Sequence, residues 1–304
     1  MGLTGKTTEL ARKTMGFLDR FKGLKLSKKL NVNGRFFLRK KGISGTMSTF
    51  YMVEEKETQK IYGLKILDSE KTDQVEARYR ALKVKKPSEG EISMMFDHPY
   101  IVKTLEYGLT TENDHYLLME YLEGTGLNNI LMIQKDLLAG GRVGYIRQCA
   151  KGLMEVHQKG FIHRDYCPRN LMFTGDGTTL KLIDFGLTVP NEPPFTEPGN
   201  RTGNPNYIAP ELIRRRTTCE KIDVFAFGVS MYEMCTRQLP WPKGDTGKAA
   251  MTHDQPPTPI QEYRPAINHV LARAIHDCIK PDPKDRPSLK EFLTAIHHVD
   301  FEDE

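Results

Sequence analysis

Cysteine is scarce and scattered in this chain. Its five cysteines, Cys149, Cys167, Cys219, Cys235 and Cys278, stand far apart and form no CxxC pair. That argues against a zinc site and a disulfide framework, and it fits a reducing compartment. Long apolar runs are missing too: none approaches the roughly 18 residues of a membrane span. The N-terminus lacks the apolar core of a signal peptide. Met1-Gly2 opens like a myristoylation signal, but Lys6 stands where Ser or Thr is expected. Together these absences predict a cytoplasmic protein. Acidic residues are rare at one end, where only Glu9 and Asp19 oppose the twelve Lys and Arg between Lys6 and Lys41. The other end is acidic, Asp300-Phe301-Glu302-Asp303-Glu304.

What is present is ordinary for a globular protein. With 304 residues, 38% hydrophobic and 27% charged, the chain is long enough for a two-lobed domain and shows no sign of wholesale disorder. The formal charge of +5 is modest, and no nucleic-acid partner is expected.

Residues 7–25 place Leu10, Phe17, Leu18, Phe21 and Leu24 near one face at helical spacing, with a basic opposite face. This helix either caps the neighbouring lobe or docks on a membrane surface or a partner. Asn31, Asn33 and Gly34 then mark a turn. FFL, STFYMV and KIYGLKIL read as strands. A polar helical stretch follows as far as Pro87, and EGEISMMF opens another helix after Pro87-Ser88. IVKTLEYGL and HYLLMEYLEG are two further strands joined at Thr111-Glu112-Asn113-Asp114. After Gly126 the chain is mainly helical, apart from short apolar pieces at LMF and LKLID. Strands first and helices afterwards predict an α+β architecture that changes character near Leu122–Gly126.

The chemistry-bearing stretch is IHRDYCPRNLM, residues 162–172. Its Asp165 is followed five residues later by Asn170, and a DFG triplet, Asp184-Phe185-Gly186, stands fourteen residues beyond that Asn. Ala209-Pro210-Glu211 and an arginine in PDPKDRPS, Arg286, complete the set. HRDxxxxN followed at this spacing by DFG has few chance matches and resembles the protein kinase superfamily. Eukaryotic-like Ser/Thr kinases, in their bacterial versions, are the nearest match. The resemblance covers roughly residues 35–298. It implies a basic extension at 1–34, a kinase domain at 35–298 (lobes 35–121 and 127–298) and an acidic tail at 299–304.

The same resemblance implies transfer of the γ-phosphate of ATP, with Mg²⁺ (Mn²⁺ as the alternative ion), to Ser/Thr hydroxyls of protein substrates. Signalling and autophosphorylation are implied roles. Lys65 would reach the ATP phosphates and pair with Glu89, ten residues before Pro99 in HPYIV; Glu91 is the fallback. Asp165 would orient the substrate hydroxyl, while Asn170 and Asp184 would hold the metal. Met119 would stand behind the purine, with the backbone of Glu120 and Leu122 bonding the adenine. Glu211 and Arg286 form a structural pair, and Asp223 braces the loop carrying His163 and Arg164. Arg164 also suggests regulation by a phosphorylated Thr188, Thr196 or Thr202, of which Thr202 is the best placed.

Several positions depart from the family pattern. The Gly-rich loop is degraded: Ile43, Gly45 and Ser48 stand where three glycines are expected, with Phe50 next on the nucleotide-facing side. Cys167 replaces the usual Lys and Asn204 the usual Thr. Arg169, four residues after Asp165, is the candidate to supply the missing positive charge, and Asn204 could still hydrogen-bond Asp165. Cys167 is either a small spacer or, with two arginines nearby, a redox-sensitive thiol. Ser93 and Thr104 occupy positions usually apolar behind Phe185. Gly5-Lys6-Thr7 and Gly247-Lys248 mimic a P-loop end without the upstream glycines and are set aside. The competing readings are a pseudokinase scaffold with little turnover, and a small-molecule phosphotransferase. Nothing in the sequence specifies an oligomeric state.

Overall fold

The computed structural model describes residues 29–44, 47–81, 84–133, 136–199, 202–241 and 252–303. The basic helix expected at 7–25, Gly45 and both P-loop-like segments lie outside these residues. The chain forms two compact units. The first holds the described residues up to Asp97, Val102–Leu122 and Glu192–Pro194. The second holds His98–Ile101, Glu123–Asn191 and the described residues from Phe195 onward. His98–Ile101 falls with the second unit, where Leu182 N donates to Tyr100 O at 3.0 Å and Ile101 bridges Leu182.

The first unit is a five-stranded antiparallel sheet, with β1 at Phe36–Ser44, β2 at Ser48–Glu55, β3 at Ile61–Leu67, β4 at Thr104–Leu109 and β5 at His115–Glu120. Spatial order is β1-β2-β3-β5-β4. The turn expected around Asn31 is a short helix, α1 (Val32–Arg35), whose first turn is capped by Asn31 Oδ1 accepting from Gly34 N at 2.8 Å. Alternation puts Val53, Leu64 and Leu118 on one sheet face with Leu30, Phe36 and Tyr116, forming a core cluster. Lys65, next to Leu64, therefore faces the other side.

A polar helix, α2 (Ser69–Ala81), precedes α3 (Glu89–Ser93). The second helix expected over EGEISMMF is shorter than the apolar pattern suggests, ending in turns at Met94 and Met95. Its start is fixed by a capping box: Ser88 Oγ accepts from Glu91 N at 3.2 Å while Ser88 N donates to Glu91 Oε2 at 2.7 Å. A Cβ on Gly90 would lie 2.5 Å from the Tyr107 ring on β4, so only glycine lets α3 approach the sheet this closely.

The second unit is mainly helical. Its larger helices are α5 (Arg142–Gln158), α7 (Lys221–Thr236), α9 (His269–Cys278) and α10 (Leu289–Ala295); the shorter ones are α4 (Leu127–Met132), α6 (Pro210–Ile213) and α8 (Ile260–Tyr263). The α7 helix is buried almost all round, so it reads as hydrophobic without a polar face. Two hairpin-like pairs add β structure: β6 (Phe161–Ile162) with β9 (Val189–Pro190), and β7 (Leu171–Phe173) with β8 (Leu180–Leu182).

The acidic C-terminus is no loose tail. Glu302 is buried, accepting from Arg142 Nη1 and from Gly140 N, each at 2.8 Å. Asp303 pairs with Arg264 and bridges Ile267. Arg142, itself buried, also donates to Asp136 and to the Met234 carbonyl. The basic partners of these carboxylates stand more than 30 residues away along the chain.

Candidate active site

In the first unit, Lys65 and Glu89 meet. Lys65 Nζ donates to Glu89 Oε1 at 2.6 Å, and both side chains are nearly buried. Strand β3 presents the lysine, and the capping box at Ser88 sets the carboxylate in the first turn of α3. Glu91, the fallback partner, is occupied by that cap.

The same sheet face carries Phe50 and Met119. Phe50 pairs with Lys65, and Gly63 pairs with Met119. A Cβ on Gly63 would lie 2.7 Å from the Phe50 ring and 3.1 Å from Met119 Cγ. The ring therefore rests on the bare backbone of Gly63, a position the sequence reading did not single out. Met119 and Leu122 are buried. Glu120 closes β5, its N–H donating to Lys103 O at 3.0 Å and its carboxylate accepting from Lys103 N at 2.8 Å. Ser48 opens β2 opposite Leu67, and Ile43 lies near the end of β1.

In the second unit, the short loop between β6 and β7 holds His163 to Asn170. Its anchor is Asp223 on α7, which accepts from His163 N at 2.7 Å, Arg164 N at 2.8 Å and His157 Nε2 at 3.0 Å. Burial opposes the charge on Asp223, yet the bonds from His157 and His163 outweigh it and hold the carboxyl below its ordinary range. Arg164 sits at φ 68, a left-handed conformation that costs a non-glycine residue on the order of 1 kcal/mol. The two donors into Asp223 fix that strained turn. His157, in the last turn of α5, carried no readable signal beyond its place at a helix end.

Two donors converge on Asp165. Arg169 Nη2 reaches Asp165 Oδ2 at 3.1 Å and Asn170 Nδ2 reaches the same oxygen at 3.0 Å. Asn170 Nδ2 also donates to the Asp165 carbonyl at 2.7 Å. With the nitrogen of its amide so used, the oxygen of Asn170 is its remaining polar atom. Ile183 N donates to Asn170 O at 3.0 Å, and the register Leu171↔Leu182 brings Asn170 and Asp184 to the same end of the β7–β8 pair. Asp184 Oδ1 accepts from Gly186 N at 2.9 Å, which holds the DFG turn. Phe185 is buried with its ring edge-on to His163, centroids 5.5 Å apart. An amide oxygen and a carboxylate, side by side, are hard oxygen donors of the kind Mg²⁺ takes.

Glu211 and Arg286 form a buried bidentate pair at 2.6 and 2.8 Å. Arg286 also donates to the carbonyls of Lys280, Lys221 and Pro281. A second brace was not visible in the sequence: Tyr207 donates to Glu233 Oε2 at 2.5 Å.

Three further positions named from the sequence sit as follows. Cys167 is buried, and burial with the neighbouring Asp165 charge pushes its thiol up to about 12, Arg169 offsetting only part. Of the two readings of Cys167, this burial favours the small packed spacer over a redox-sensitive thiol. Asn204 turns inward on its own loop, Oδ1 accepting from Asn206 N at 3.1 Å, although it lines the same small pocket as Asp165. Thr188 and Thr196 are buried, with Thr196 O accepting from Thr218 N and Oγ1. Thr202, by contrast, is half-exposed.

Comparison with known proteins agrees with this geometry. The protein kinase domain family matches residues 39–298. The hormonally up-regulated neu tumor-associated kinase of Mus musculus is 34% identical over 215 residues, covering 67% of this chain and 29% of that protein. Serine/threonine-protein kinase pkn3 of Myxococcus xanthus is 29% identical over 226 residues, 70% of this chain and 41% of its own. Mitogen-activated protein kinase kinase kinase 7 of Bos taurus is 32% identical over 214 residues, 67% and 35% respectively. The chain thus spans less than half the length of these curated relatives. The fold, the paired Lys65 and Glu89, the braced loop around Asp165 and the family match lead to one conclusion: this chain belongs to the protein kinase domain family.

Proposed function

We propose that this chain is an active protein kinase transferring the γ-phosphoryl group of ATP to Ser or Thr hydroxyls of proteins. The observation that carries the reading is the convergence of Arg169 and Asn170 on one oxygen of Asp165, next to Asp184.

In the reaction, the substrate hydroxyl oxygen bonds to the γ-phosphorus as the bond to the β–γ bridging oxygen breaks, and ADP leaves. Asp165 orients the hydroxyl and takes its proton. Lys65, held by Glu89, engages the ATP phosphates as a fixed cation. Arg169 supplies positive charge beside Asp165, the part that Cys167 cannot play. The backbone of Glu120 and Leu122 receives the adenine, with Met119 and Phe50 beside it and the segment from Ile43 through Gly45 to Ser48 over the phosphates. Asn170 and Asp184 would hold Mg²⁺, which neutralises phosphate charge when bound. Ser/Thr specificity is supported by the name of the Myxococcus relative and by PNYIAPE, which lacks the Pro-Val-Lys-Trp character of tyrosine kinases. Thr202 is the proposed regulatory acceptor, and autophosphorylation there is part of the proposal.

No helix among the described residues is long and apolar enough to cross a membrane, and all five cysteines are free. Both support action in the reducing cytoplasm. The test is incubation with γ-labelled ATP and Mg²⁺ beside Asp184→Asn. Label on the protein itself or on a generic acceptor, lost in the variant, is expected. Equal label from both would overturn the reading, and phosphoamino-acid analysis separates Ser/Thr from Tyr.

A further inference from the structure

Three consecutive arginines, Arg214, Arg215 and Arg216, follow α6 directly and are all exposed. Their backbone is pinned: Arg214 N donates to Pro210 O at 3.0 Å, Arg215 N to Leu212 O at 3.3 Å and Arg216 N to Glu211 O at 2.9 Å. Glu211 is itself locked by the buried Arg286. Arg215 sits at φ 52, a left-handed conformation unfavourable for a long side chain. The turn thus presents three cations outward from a rigid base and accepts backbone strain in doing so.

Counter-charge for this run is thin. Arg214 pairs with Asp254. Glu211 is committed to Arg286, and Glu220 accepts from Asn191 Nδ2 at 2.6 Å. Among the described residues, no carboxylate forms an ion pair with Arg215 or Arg216. An exposed pair of guanidinium forks without a carboxylate partner among the described residues is matched to carboxylates or phosphates.

The patch is close to Asp165. Leu212, Ala209 and Ile208 line one pocket with Asp165, and Arg214 is two residues beyond Leu212, so within about 7 Å of it along the chain. The link is doubled through Asp254, because its neighbour His253 bonds the Ile208 carbonyl through Nδ1 at 2.7 Å. An extended peptide advances about 3.3 Å per residue. Positions three to five residues from a hydroxyl at Asp165 therefore lie roughly 10–17 Å along such a peptide, the range the test below covers.

We propose that Arg215 and Arg216, with Arg214, form a docking surface for an acidic segment of the protein substrate, three to five residues from the phosphorylated hydroxyl. This rests on the kinase reading and specifies its substrate class. Electrostatic recognition of this kind raises the rate of encounter and is screened by salt.

The experiment compares synthetic peptides with one Ser acceptor and Glu, Ala or Lys at each position up to five residues on either side. The Glu peptides are expected to show about five-fold higher kcat/KM than the Ala peptide at the favoured positions on one side. That advantage is expected to shrink as NaCl rises from 50 to 500 mM, on the order of a Debye length falling from 14 to 4 Å. Arg215→Glu/Arg216→Glu is expected to reverse the preference in favour of Lys while leaving the Ala-peptide rate unchanged. Equal rates for the three peptide types in the wild type would overturn the proposal. So would an acidic preference that survives charge reversal. Should the double variant misfold, the single variants Arg215→Ala and Arg216→Ala, read with the salt series, decide. Fluorescence anisotropy of the labelled Glu peptide without nucleotide separates this inference from the kinase reading: equal label from the wild type and Asp184→Asn overturns the latter, and absence of salt-sensitive, Arg-dependent binding overturns the former.

Discussion

Lys65 and Glu89 form a buried ion pair, Nζ to Oε1 at 2.6 Å, across 24 residues of sequence. Two nearly dehydrated charges of this kind depend on one another, and deleting one leaves the other uncompensated, at a cost of about 3–5 kcal/mol. Glu89→Gln is therefore expected to lower both the melting temperature and the phosphoryl-transfer rate. Glu91→Gln is expected to weaken only the helix cap, by about 1 kcal/mol, with the transfer rate little changed. Thermal melts beside a γ-labelled ATP assay check the contrast; equal rate losses from both variants would contradict it.

Arg169 touches Asp165 from a side chain that is 62% exposed, so its worth to folding is small. Its worth to the reaction is expected to be larger, because charge develops beside it. Arg169→Ala should reduce kcat about tenfold, equivalent to about 1.4 kcal/mol, with the melting temperature unchanged. Arg169→Lys should recover part of that loss. An unchanged kcat in Arg169→Ala would remove the idea that this arginine covers for Cys167.

Cys167 is buried with its thiol pushed up to about 12. At pH 7.5 the reactive thiolate is then a minute fraction, and iodoacetamide is expected to leave Cys167 unlabelled in the folded protein. Mass spectrometry of tryptic peptides reads this. Cys167→Ala should keep most of the activity, since the side chain serves as packing.

Asp223 accepts three hydrogen bonds and is held below the usual carboxylate range, about 3.9 for aspartate. The sign follows from linkage: a carboxyl depressed in the folded state contributes stability fully above its unfolded value. That contribution fades as pH falls from there through the folded value. Asp223→Asn is expected to cost several kcal/mol at pH 7, and the gap from wild type should narrow only below about pH 4. Urea melts at pH 7, 5 and 3.5 check it; a gap already closed at pH 5 would assign the stability to another group.

Thr104 buries its hydroxyl with no hydrogen-bond partner among the described residues. An unsatisfied buried hydroxyl costs about 1–3 kcal/mol, and valine has nearly the same shape. Thr104→Val is expected to raise the melting temperature by about 2 °C or more, measured by calorimetry.

The sequence by itself determined the family and the chemistry-bearing residues, since those depend on residue type at fixed local spacing. HRDxxxxN and DFG stand close together along the chain, and the strand-to-helix change near Leu122 follows from periodicity. Even the long-range partner of Lys65 was legible, because its distance from Pro99 is a local spacing too. Tertiary structure alone decided what is buried and what bonds to what. It sealed Cys167 and Thr196 away from solvent, and it turned the acidic end into a latch on Arg142. It also gave His157 and Glu233 structural roles. Each of these depends on residues tens of positions apart meeting in space, where burial changes the chemistry that composition alone suggests: a thiol near arginines is held protonated, and one carboxylate of the acidic end, Glu302, is buried against Arg142.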